Sequence, residues 1–268
     1  MDEGEIMVEQ NRDDIDIDER RKRILELLHR DGKVKVAELS KFFGTSEVTI
    51  RSDLDELGTQ QLLQRTHGGA ISTYKSYYNM NFQERAEANK EEKRKIAVEA
   101  ASQISDGDTV ILGSGTTPLY VMKELKNHKN LIIITNSLSI AQEAGFNRNV
   151  TVVILLGGDL NFEYQFVSGD DAIAQLYKYK ADKLILSSDG ISSEFGISTY
   201  HHQEAELYRQ MIARVDKTIL VADYSKIGRA NFSLIAGIDK IDCLITNENA
   251  NKEEIEAYKE VGIEVRLV

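Results

Sequence analysis

Apolar residues near the N-terminus recur at helical spacing in three successive segments that are separated by turns. The segments are 20–31, 36–43 and 46–57. In the third segment Ile50, Leu54 and Leu57 are spaced i, i+4 and i+7, which places them on one face of a helix. The Ser46 hydroxyl can cap this helix by accepting from an unpaired backbone N–H group. Two short helices, a tight turn and a helix with an apolar inner face predict a helix-turn-helix.

Two short strands are predicted directly after the third helix, at 62–65 and 70–72. The Thr-His-Gly-Gly sequence between them, at 66–69, is typical of a tight turn. This hairpin would form the wing of a winged helix-turn-helix.

The remainder of the chain alternates between short apolar runs and helical patterns. The predicted strands are 109–112, 131–135, 151–156, 183–187, 218–222, 242–246 and 264–268. The predicted helices are 91–104, 119–125, 139–144, 170–179, 203–214 and 252–260. Because the strands are almost continuously apolar and alternate with helices, the pattern predicts an α/β fold with a mostly parallel sheet covered on both faces.

These changes of pattern divide the chain into four parts. We predict an acidic tail without stable structure at 1–18 and a winged helix-turn-helix domain at 19–73. A polar linker at 74–90 then leads to the α/β domain at 91–268.

Composition is ordinary for a globular protein, with 41% hydrophobic and 29% charged residues among 268. No apolar run approaches the roughly 20 residues of a membrane helix, and the acidic N-terminus does not resemble a signal peptide. The single cysteine, Cys243, excludes an internal disulfide and lies in an apolar run, so we expect a buried, inert thiol. These features predict a cytoplasmic protein that does not associate with a membrane and binds neither a metal nor a cofactor.

The formal net charge of −11 argues against a nucleic-acid partner, but the charges are unevenly distributed. Residues 1–19 contain nine acidic residues and one basic residue, whereas basic residues outnumber acidic ones in 20–70. A basic segment in an acidic chain is expected of a DNA-binding module on an acidic carrier. A helix with a solvated basic face is the alternative.

The third helix and the hairpin carry side chains suited to DNA recognition. A helix in the major groove reads base edges, while phosphates are held by cations, hydroxyls and backbone N–H groups. The candidate DNA-binding residues are Arg20, Lys35, Ser46, Val48, Thr49, Arg51, Ser52, Arg65, His67 and Gly68. A helical hairpin used for protein contact is the alternative.

A loop rich in glycine and hydroxyl groups, 113–118, follows the first predicted strand of the α/β domain and opens a helix. We place Thr117 as the N-cap and Pro118 as the first helical residue, where a missing N–H group costs nothing. Backbone N–H groups at a helix N-terminus bind anions, which makes this loop a candidate phosphate site. A simple strand-to-helix turn is the alternative.

Further polar loops follow the later strands, and the carboxyl ends of parallel strands converge on one crevice. Their donors, acid and lysine suit a phosphorylated polyol. Glu204 and Arg209 on a following helix could add contacts, with a solvated helix face as the alternative. The candidate effector-binding residues are Ser114, Gly115, Thr116, Thr117, Asn136, Gly157, Gly158, Asp189, Glu204, Arg209 and Lys226.

Three stretches resemble the DeoR family of sugar-catabolism repressors. They are 20–25, 46–54 and 64–70, with the sequences RRKRIL, SEVTIRSDL and QRTHGGA. The resemblance extends through the α/β domain and so covers almost the whole chain after residue 19. It implies a repressor that binds double-stranded operator DNA through its N-terminal domain. The C-terminal sensor domain would resemble ribose-5-phosphate isomerase and bind a phosphorylated sugar.

The chain departs from the family pattern at Ser52, Gly58, Gln61, Gly113 and Tyr208. The resemblance implies a basic residue at 52, a polar residue at 58, a glycine at 61, an aspartate at 113 and a basic residue at 208. We therefore expect one phosphate contact, the end of the third helix and one contact to the sugar to differ.

Together these features predict a transcriptional repressor of a carbohydrate catabolism operon that a phosphorylated sugar releases from DNA. A single helix-turn-helix usually binds related half-sites as a dimer, so we expect a homodimer or homotetramer. The alternative is a sugar-phosphate isomerase-like enzyme with Asp189, Glu204 and Lys226 as acid or base groups. That alternative leaves the helix-turn-helix unexplained, and a scaffold protein leaves both the wing and the polar loops unexplained.

Overall fold

The N-terminal helices bury the side chains that the apolar pattern placed on their inner faces. The structure, a computed structural model, describes residues 16–31, 33–60, 62–72 and 80–268. The first of its two units, Met1–Met80, contains helices α1 (Ile17–Asp31), α2 (Val36–Phe43) and α3 (Glu47–Thr59) and strands β1 (Lys33–Lys35), β2 (Leu63–Thr66) and β3 (Gly69–Ser72). Ile24, Leu28, Ile50 and Leu54 are fully buried in one cluster between these helices. The predicted winged helix-turn-helix is therefore confirmed.

Two local features determine where α2 ends and α3 begins. Gly44 adopts a left-handed conformation with φ 64°, and its N–H group donates to the carbonyl of Ser40. Ser46 Oγ accepts from the N–H group of Thr49 at 3.1 Å and caps α3, as the sequence predicts. Helix α3 continues past its predicted end because Gly58 remains helical in the last turn.

The wing contains one strand that the sequence did not predict. Strand β1 pairs with β3 and β3 with β2, both antiparallel, in the order β1-β3-β2. Its three residues are too few to show an alternating pattern. The strands approach closely because position 69 is glycine, since a Cβ on Gly69 would lie 1.9 Å from the carbonyl oxygen of Val34.

Helix α1 begins at Ile17, inside the segment 1–18 that was predicted as a tail. Asp18 and Glu19 lie in its first turn, where acidic side chains interact favourably with the helix dipole. The rest of the predicted tail, 1–15, lies outside the described residues.

The predicted linker, 74–90, contains a helix. Helix α4 (Phe82–Glu87) begins at a capping box, in which Asn81 Oδ1 accepts from two backbone N–H groups. A six-residue helix with one buried apolar anchor is too short for its period to be recognised in the sequence. Residues 74–79 of this region, like residue 73 before it, lie outside the described residues.

The second unit, Asn81–Val268, is built on a seven-stranded sheet. Its strands are β4 (Thr109–Leu112), β5 (Leu131–Thr135), β6 (Val150–Leu155), β9 (Ala181–Leu186), β12 (Val215–Val221), β14 (Cys243–Thr246) and β15 (Glu264–Leu267). The order is β15-β14-β12-β9-β4-β5-β6, and every neighbouring pair is parallel. The predicted parallel sheet is therefore confirmed.

Helices cover both faces of this sheet, as predicted. They are α5 (Lys90–Ser102), α6 (Thr116–Glu124), α7 (Leu138–Phe146), α8 (Asp170–Leu176), α9 (His202–Ile212) and α10 (Lys252–Glu260). Because alternate strand residues point to opposite faces, Val110 and Leu112 pack with apolar residues of α5, α6 and α7. Ile111, between them, packs with apolar residues of α8, α9 and α10.

Short antiparallel elements interrupt the connections that follow the carboxyl ends of β6, β9 and β12. They are β7 (Asp159–Asn161) with β8 (Phe166–Ser168), and β10 (Gly190–Ser192) with β11 (Gly196–Thr199) and β13 (Ser233–Ala236). Their strands of three or four residues were not predicted. They matter for function because β11 carries Thr199, which contacts two of the candidate effector-binding residues, Asp189 and Glu204.

Two further expectations concern Cys243 and the membrane. Cys243 is fully buried in β14, and burial raises the pKa of its thiol to about 11, as expected of an inert thiol. No helix within the described ranges is both long and apolar enough to cross a membrane. The same residues contain no cluster of three or more histidine, cysteine or acidic side chains placed to hold a metal ion.

Candidate DNA-binding surface and effector site

Helix α3 presents one solvent-facing surface that carries most of the predicted recognition residues. Ser46, Val48, Arg51 and Ser52 are exposed, and Thr49 is half-buried beside its hydrogen bond to Ser46. Val48 is 72% exposed, although its side chain is apolar. An apolar side chain on the outer face of such a helix is suited to contact with a thymine methyl group.

Basic residues on and near α3 form ion pairs within the protein. Arg51 pairs with Glu47 at 2.7 Å on the exposed face. Arg65 links the wing to α3, because its Nε donates to Asp55 at 2.7 Å and its Nη1 donates to the carbonyl of Gly69. Arg65 therefore positions the hairpin.

The remaining predicted residues of the first unit lie outside α3. His67 and Gly68 are exposed at the tip of the wing. Lys35, also exposed, pairs with Glu38 at 3.0 Å.

Arg20 has a structural partner that the sequence did not identify. Asp53 on α3 is 2% exposed and accepts from Arg20 Nε at 2.6 Å and from Arg21 Nε at 3.1 Å. A buried carboxylate needs such partners because desolvating a lone charge is costly. These ion pairs fasten α1 to α3. The Arg20 side chain is only 13% exposed, so most of its surface is used inside the protein.

The carboxyl ends of β4, β5 and β9 bring a group of the predicted effector residues into one buried network. Ser114 donates its backbone N–H to Asn136 Oδ1 at 3.0 Å. The Ser114 hydroxyl lies 2.5 Å from Glu204 Oε1 and 2.7 Å from the hydroxyl of Tyr208. Ser114, Asn136, Glu204 and Tyr208 are all less than 10% exposed.

Thr199 extends this network to a second carboxylate. Its Oγ1 lies 2.9 Å from Asp189 Oδ2 and 3.1 Å from Glu204 Oε2. Asp189 Oδ2 also accepts from the backbone N–H group of Tyr200 at 3.1 Å. The predicted residues Asp189 and Glu204 are therefore bridged by one hydroxyl group.

The two carboxyl groups differ in their electrostatic environment. Burial raises the pKa of Glu204 from 4.5 to about 7, more than its hydrogen bonds to Ser114 and Tyr208 lower it. Burial also acts to raise the pKa of Asp189, but the charges of Arg85 and Lys226 and two hydrogen bonds outweigh it, so this pKa is lowered. At neutral pH Asp189 is thus ionised, while the pKa of Glu204 lies close to neutral pH.

A second buried polar group surrounds Lys226, which lies on the 3₁₀ turn Tyr224–Lys226 after β12. Asp223 Oδ1 accepts from Asn89 Nδ2 at 3.1 Å. Burial lowers the pKa of the Lys226 ammonium to about 7, against the attraction of Asp223 and Asp189. Burial likewise lowers the pKa of Lys93, which lies near Asp223.

The N-terminus of α6 lies beside the first network, but its cap differs from the prediction. Gly115, and not Thr117, is the N-cap, and Thr116 is the first helical residue. Gly115 has φ 124°, and a Cβ there would lie 2.4 Å from Ser187 Oγ, so this tight loop requires glycine. Thr117 and Pro118 both lie in the first turn, where a missing backbone N–H group is still harmless.

Three predicted effector residues have contacts elsewhere. Gly157 exchanges hydrogen bonds with the side-chain amide of Gln175 on α8. Gly158 packs closely against β8, since a Cβ there would lie 2.5 Å from the carbonyl oxygen of Ser168. Arg209, on the exposed side of α9, pairs with Glu206 at 2.6 Å and also donates to a backbone carbonyl.

The network also contains residues that the sequence analysis missed as effector candidates. Tyr208 could have been found because it lies one helical turn after Glu204, which places both side chains on the same face of α9. Thr199 lies on a four-residue strand and Arg85 on a six-residue helix. Both elements are too short to show a period in the sequence, so neither residue gave such a signal.

Comparisons with known proteins agree with both units. The DeoR-like helix-turn-helix domain matches residues 20–76, and the DeoR C terminal sensor domain matches residues 88–248. The transcriptional regulator YulB of Bacillus subtilis is 36% identical over 254 residues, which cover 93% of this chain and 96% of that protein. The glycerol-3-phosphate regulon repressor of Escherichia coli is 34% identical over 229 residues, which cover 85% of this chain and 90% of that protein. Ribose 5-phosphate isomerase A from Methanocaldococcus jannaschii aligns over 52% of this chain and 55% of its own, with a TM-score of 0.39 and 18% identity.

A winged helix-turn-helix followed by a parallel α/β unit with these matches defines a transcriptional regulator. The sequence matches span both units and nearly the full length of the relatives. The chain belongs to the DeoR family of DNA-binding transcriptional repressors, as the resemblance implied.

Proposed function

We propose that the chain represses a carbohydrate catabolism operon by binding operator DNA, and that a phosphorylated sugar releases it. The observation that carries this proposal is the buried network of Ser114, Asn136, Thr199 and Glu204 at the carboxyl edge of the sheet, beside the N-terminus of α6. A relative at 34% identity is the glycerol-3-phosphate regulon repressor, which supports an effector of the phosphorylated sugar or polyol class.

Helix α3 and the wing supply the DNA contacts in this proposal. Val48, Arg51 and Ser52 would face base edges and phosphates in the major groove, with His67 at the wing tip on the backbone or minor groove. The exposed pair of Arg51 and Glu47 costs little to break, since such i,i+4 pairs are worth only about 0.3–0.5 kcal/mol. Arg51 is therefore available to a stronger anionic partner.

Two copies of the helix-turn-helix would bind related half-sites, which makes a homodimer or homotetramer the working assembly. Operator DNA with two-fold symmetry would match the symmetry of such an assembly. The α/β domain is the larger unit and the proposed place of self-association.

The effector would meet two kinds of polar group. The backbone N–H groups of the first turn of α6 favour a phosphate, as at other helix N-termini. The carboxylate of Asp189 accepts hydrogen bonds, which suits the hydroxyl groups of a sugar. Lys226, which is 4% exposed, adds a charge that would hold the anionic end of the ligand.

Release from DNA then requires that the effector bind better to the conformation that binds operator poorly. The coupling is reciprocal, so operator DNA must weaken effector binding by the same factor. Typical coupling free energies correspond to about 5-fold to 150-fold changes in affinity.

A sensor is favoured over an isomerase-like enzyme. Enediol chemistry needs a base aimed at the substrate, whereas the carboxyl of Glu204 is already engaged by Ser114, Thr199 and Tyr208. The two relatives described above, which match 93% and 85% of the chain, are regulators. We propose that the domain binds its ligand without converting it, and that it acts in the cytoplasm, where operator DNA is accessible.

The test combines a thermal-shift screen with DNA binding. The full chain is screened against glucose 6-phosphate, fructose 1-phosphate, ribose 5-phosphate, glycerol 3-phosphate and N-acetylglucosamine 6-phosphate, each beside its parent compound. A ligand of the folded state stabilises by about 2.7 kcal/mol at 100 times its Kd, which raises the Tm with concentration. The active compound is then added to a titration with DNA selected from a random library.

One phosphorylated compound should raise the Tm and lower the affinity for the selected DNA, while its parent does neither. If no phosphorylated compound changes the Tm, the effector half of the proposal is wrong. If the selection yields no specific DNA sequence, the operator half is wrong.

A further inference from the structure

Arg85 extends from α4, the first helix of the second unit, towards the candidate effector site. Its guanidinium lies 3.7 Å from Asp189 Oδ1 and stacks over the ring of Tyr164, 4.6 Å from the ring centroid. The side chains of Arg85 and Asp189 are only 13% and 12% exposed. The helix that directly follows the DNA-binding unit along the chain thus places a buried cation beside the effector network.

The backbone around Arg85 is tied to the same site from a second direction. The hydroxyl of Tyr120, on α6, donates to the carbonyl of Ala86 at 3.2 Å. The ammonium of Lys93, which is 1% exposed, donates to the carbonyls of Arg85 and Ala88. Helix α4 is therefore attached both to the loop that carries Asp189 and to the helix whose N-terminus is the candidate phosphate site.

The pair between Arg85 and Asp189 is well suited to exchange. Asp189 Oδ2 is occupied by hydrogen bonds from Thr199 and Tyr200, and Oδ1 is the oxygen that pairs with the guanidinium. At 3.7 Å this contact is an ion pair longer than a hydrogen bond. A phosphate can replace it with two parallel hydrogen bonds to the guanidinium, which is the stronger interaction.

We propose that Arg85 contacts the effector and transmits its presence to α4. In the effector-free protein Arg85 pairs with Asp189, and in the bound protein it pairs with the anionic group of the effector. The exchange moves the guanidinium and with it α4, the element through which the chain enters the sensor from the DNA-binding unit. This inference rests on the proposed function, because it assumes an anionic effector that weakens operator binding.

The experiment measures operator affinity by fluorescence anisotropy with and without the most active of the five phosphorylated compounds named above. The wild-type chain should show a ratio of Kd values of about 5 to 150. Arg85→Gln should bring the ratio close to 1, because the cation that meets the anion is gone. Arg85→Lys should give an intermediate ratio, since lysine keeps the charge but loses the planar fork.

Arg94→Gln is the matched control, because Arg94 is exposed on α5 and pairs with Glu91 of the same helix at 2.8 Å. It removes the same charge near the same place in the chain and should keep the wild-type ratio. Thermal denaturation of each variant verifies folding. If Arg85→Gln does not fold, Arg85→Lys decides the question.

Three outcomes overturn the inference. If Arg85→Gln folds, and both its ratio of Kd values and the effector concentration at half response equal those of the wild-type chain, Arg85 transmits nothing. The proposed function then still stands. An unchanged ratio in Arg85→Lys has the same meaning if the glutamine variant does not fold. If the wild-type chain binds DNA but responds to none of the five compounds, the effector half of the proposed function fails as well.

Discussion

Replacing Glu204 with glutamine should change how the stability of the sensor domain depends on pH. A threonine hydroxyl has one hydrogen to donate, yet Thr199 lies within hydrogen-bond distance of both Asp189 and Glu204. If Thr199 donates to the ionised Asp189, Glu204 must carry a proton to complete the network. Glutamine supplies that donor permanently, because its amide group can donate to Thr199 and accept from Ser114.

The size of the effect follows from the pKa of Glu204. Burial raises it from 4.5 to about 7 in the folded protein, and one pKa unit corresponds to about 1.4 kcal/mol. Between these two values the folded chain holds a proton that the unfolded chain has lost, so stability falls as the pH rises through this window. The loss is complete above the folded pKa and amounts to roughly 3 kcal/mol.

Glu204→Gln removes this loss, since glutamine does not titrate. The free energy of unfolding of the variant should be closest to that of the wild-type chain at about pH 5. At about pH 8 it should exceed the wild-type value by about 3 kcal/mol. Urea denaturation of the full chain, followed by circular dichroism at intervals between these pH values, measures the difference in free energy of unfolding.

Glu256→Gln is the matched control, because it removes a carboxylate on α10 whose side chain is 67% exposed. The difference in free energy of unfolding between Glu256→Gln and the wild-type chain should not grow with pH. If the difference between Glu204→Gln and the wild-type chain is the same at every pH, the hydroxyl network does not hold a proton on Glu204, and the reasoning is refuted.

Three other substitutions separate the parts of the molecule. Arg51→Ala should abolish specific operator binding and leave effector binding unchanged, and equal operator affinity in a gel-shift titration would contradict the role of α3. Lys226→Met should weaken sugar-phosphate binding, measured by calorimetry, without weakening operator binding in the absence of effector, and undiminished affinity would remove Lys226 from the site. Asp53→Asn should destabilise the DNA-binding unit by about 2 kcal/mol, because Arg20 loses a charged acceptor, and an unchanged first unfolding transition would show that this ion pair contributes nothing.

The large elements of the fold were predictable because their patterns admit few interpretations. The runs at 109–112 and 131–135 became strands with the predicted bounds, since a short apolar run flanked by polar turns must be buried. The helix at 252–260 also has its predicted bounds, with Asn251 as its N-cap. The strands of three or four residues beyond the sheet were missed because so short a run shows no alternating pattern, even where the pairing partner is near in sequence, as for β7 with β8 and β10 with β11.

The candidate site was predictable in part for a topological reason. Ser114, Asn136 and Asp189 each follow a strand of the parallel sheet, and this position alone was enough to predict that they approach one another. The cap of α6 was assigned incorrectly because a hydroxyl residue usually outranks glycine at this position. Here Gly115 takes the cap because its φ of 124° is strained for other residues.

Two departures from the DeoR pattern, Gly113 and Tyr208, are in contact, and they therefore have a single structural explanation. A Cβ on Gly113 would lie 3.2 Å from the ring of Tyr208, so the absence of a side chain at 113 leaves room for the aromatic ring. The ring places its hydroxyl 2.9 Å from Glu204 and 2.7 Å from Ser114, inside the effector network. Burial raises the pKa of Tyr208 well above its usual value, so this group stays a neutral hydroxyl. Where the family pattern implies an acid and a base, this chain has one uncharged hydroxyl, and its effector preference therefore has to be measured and not transferred from a relative.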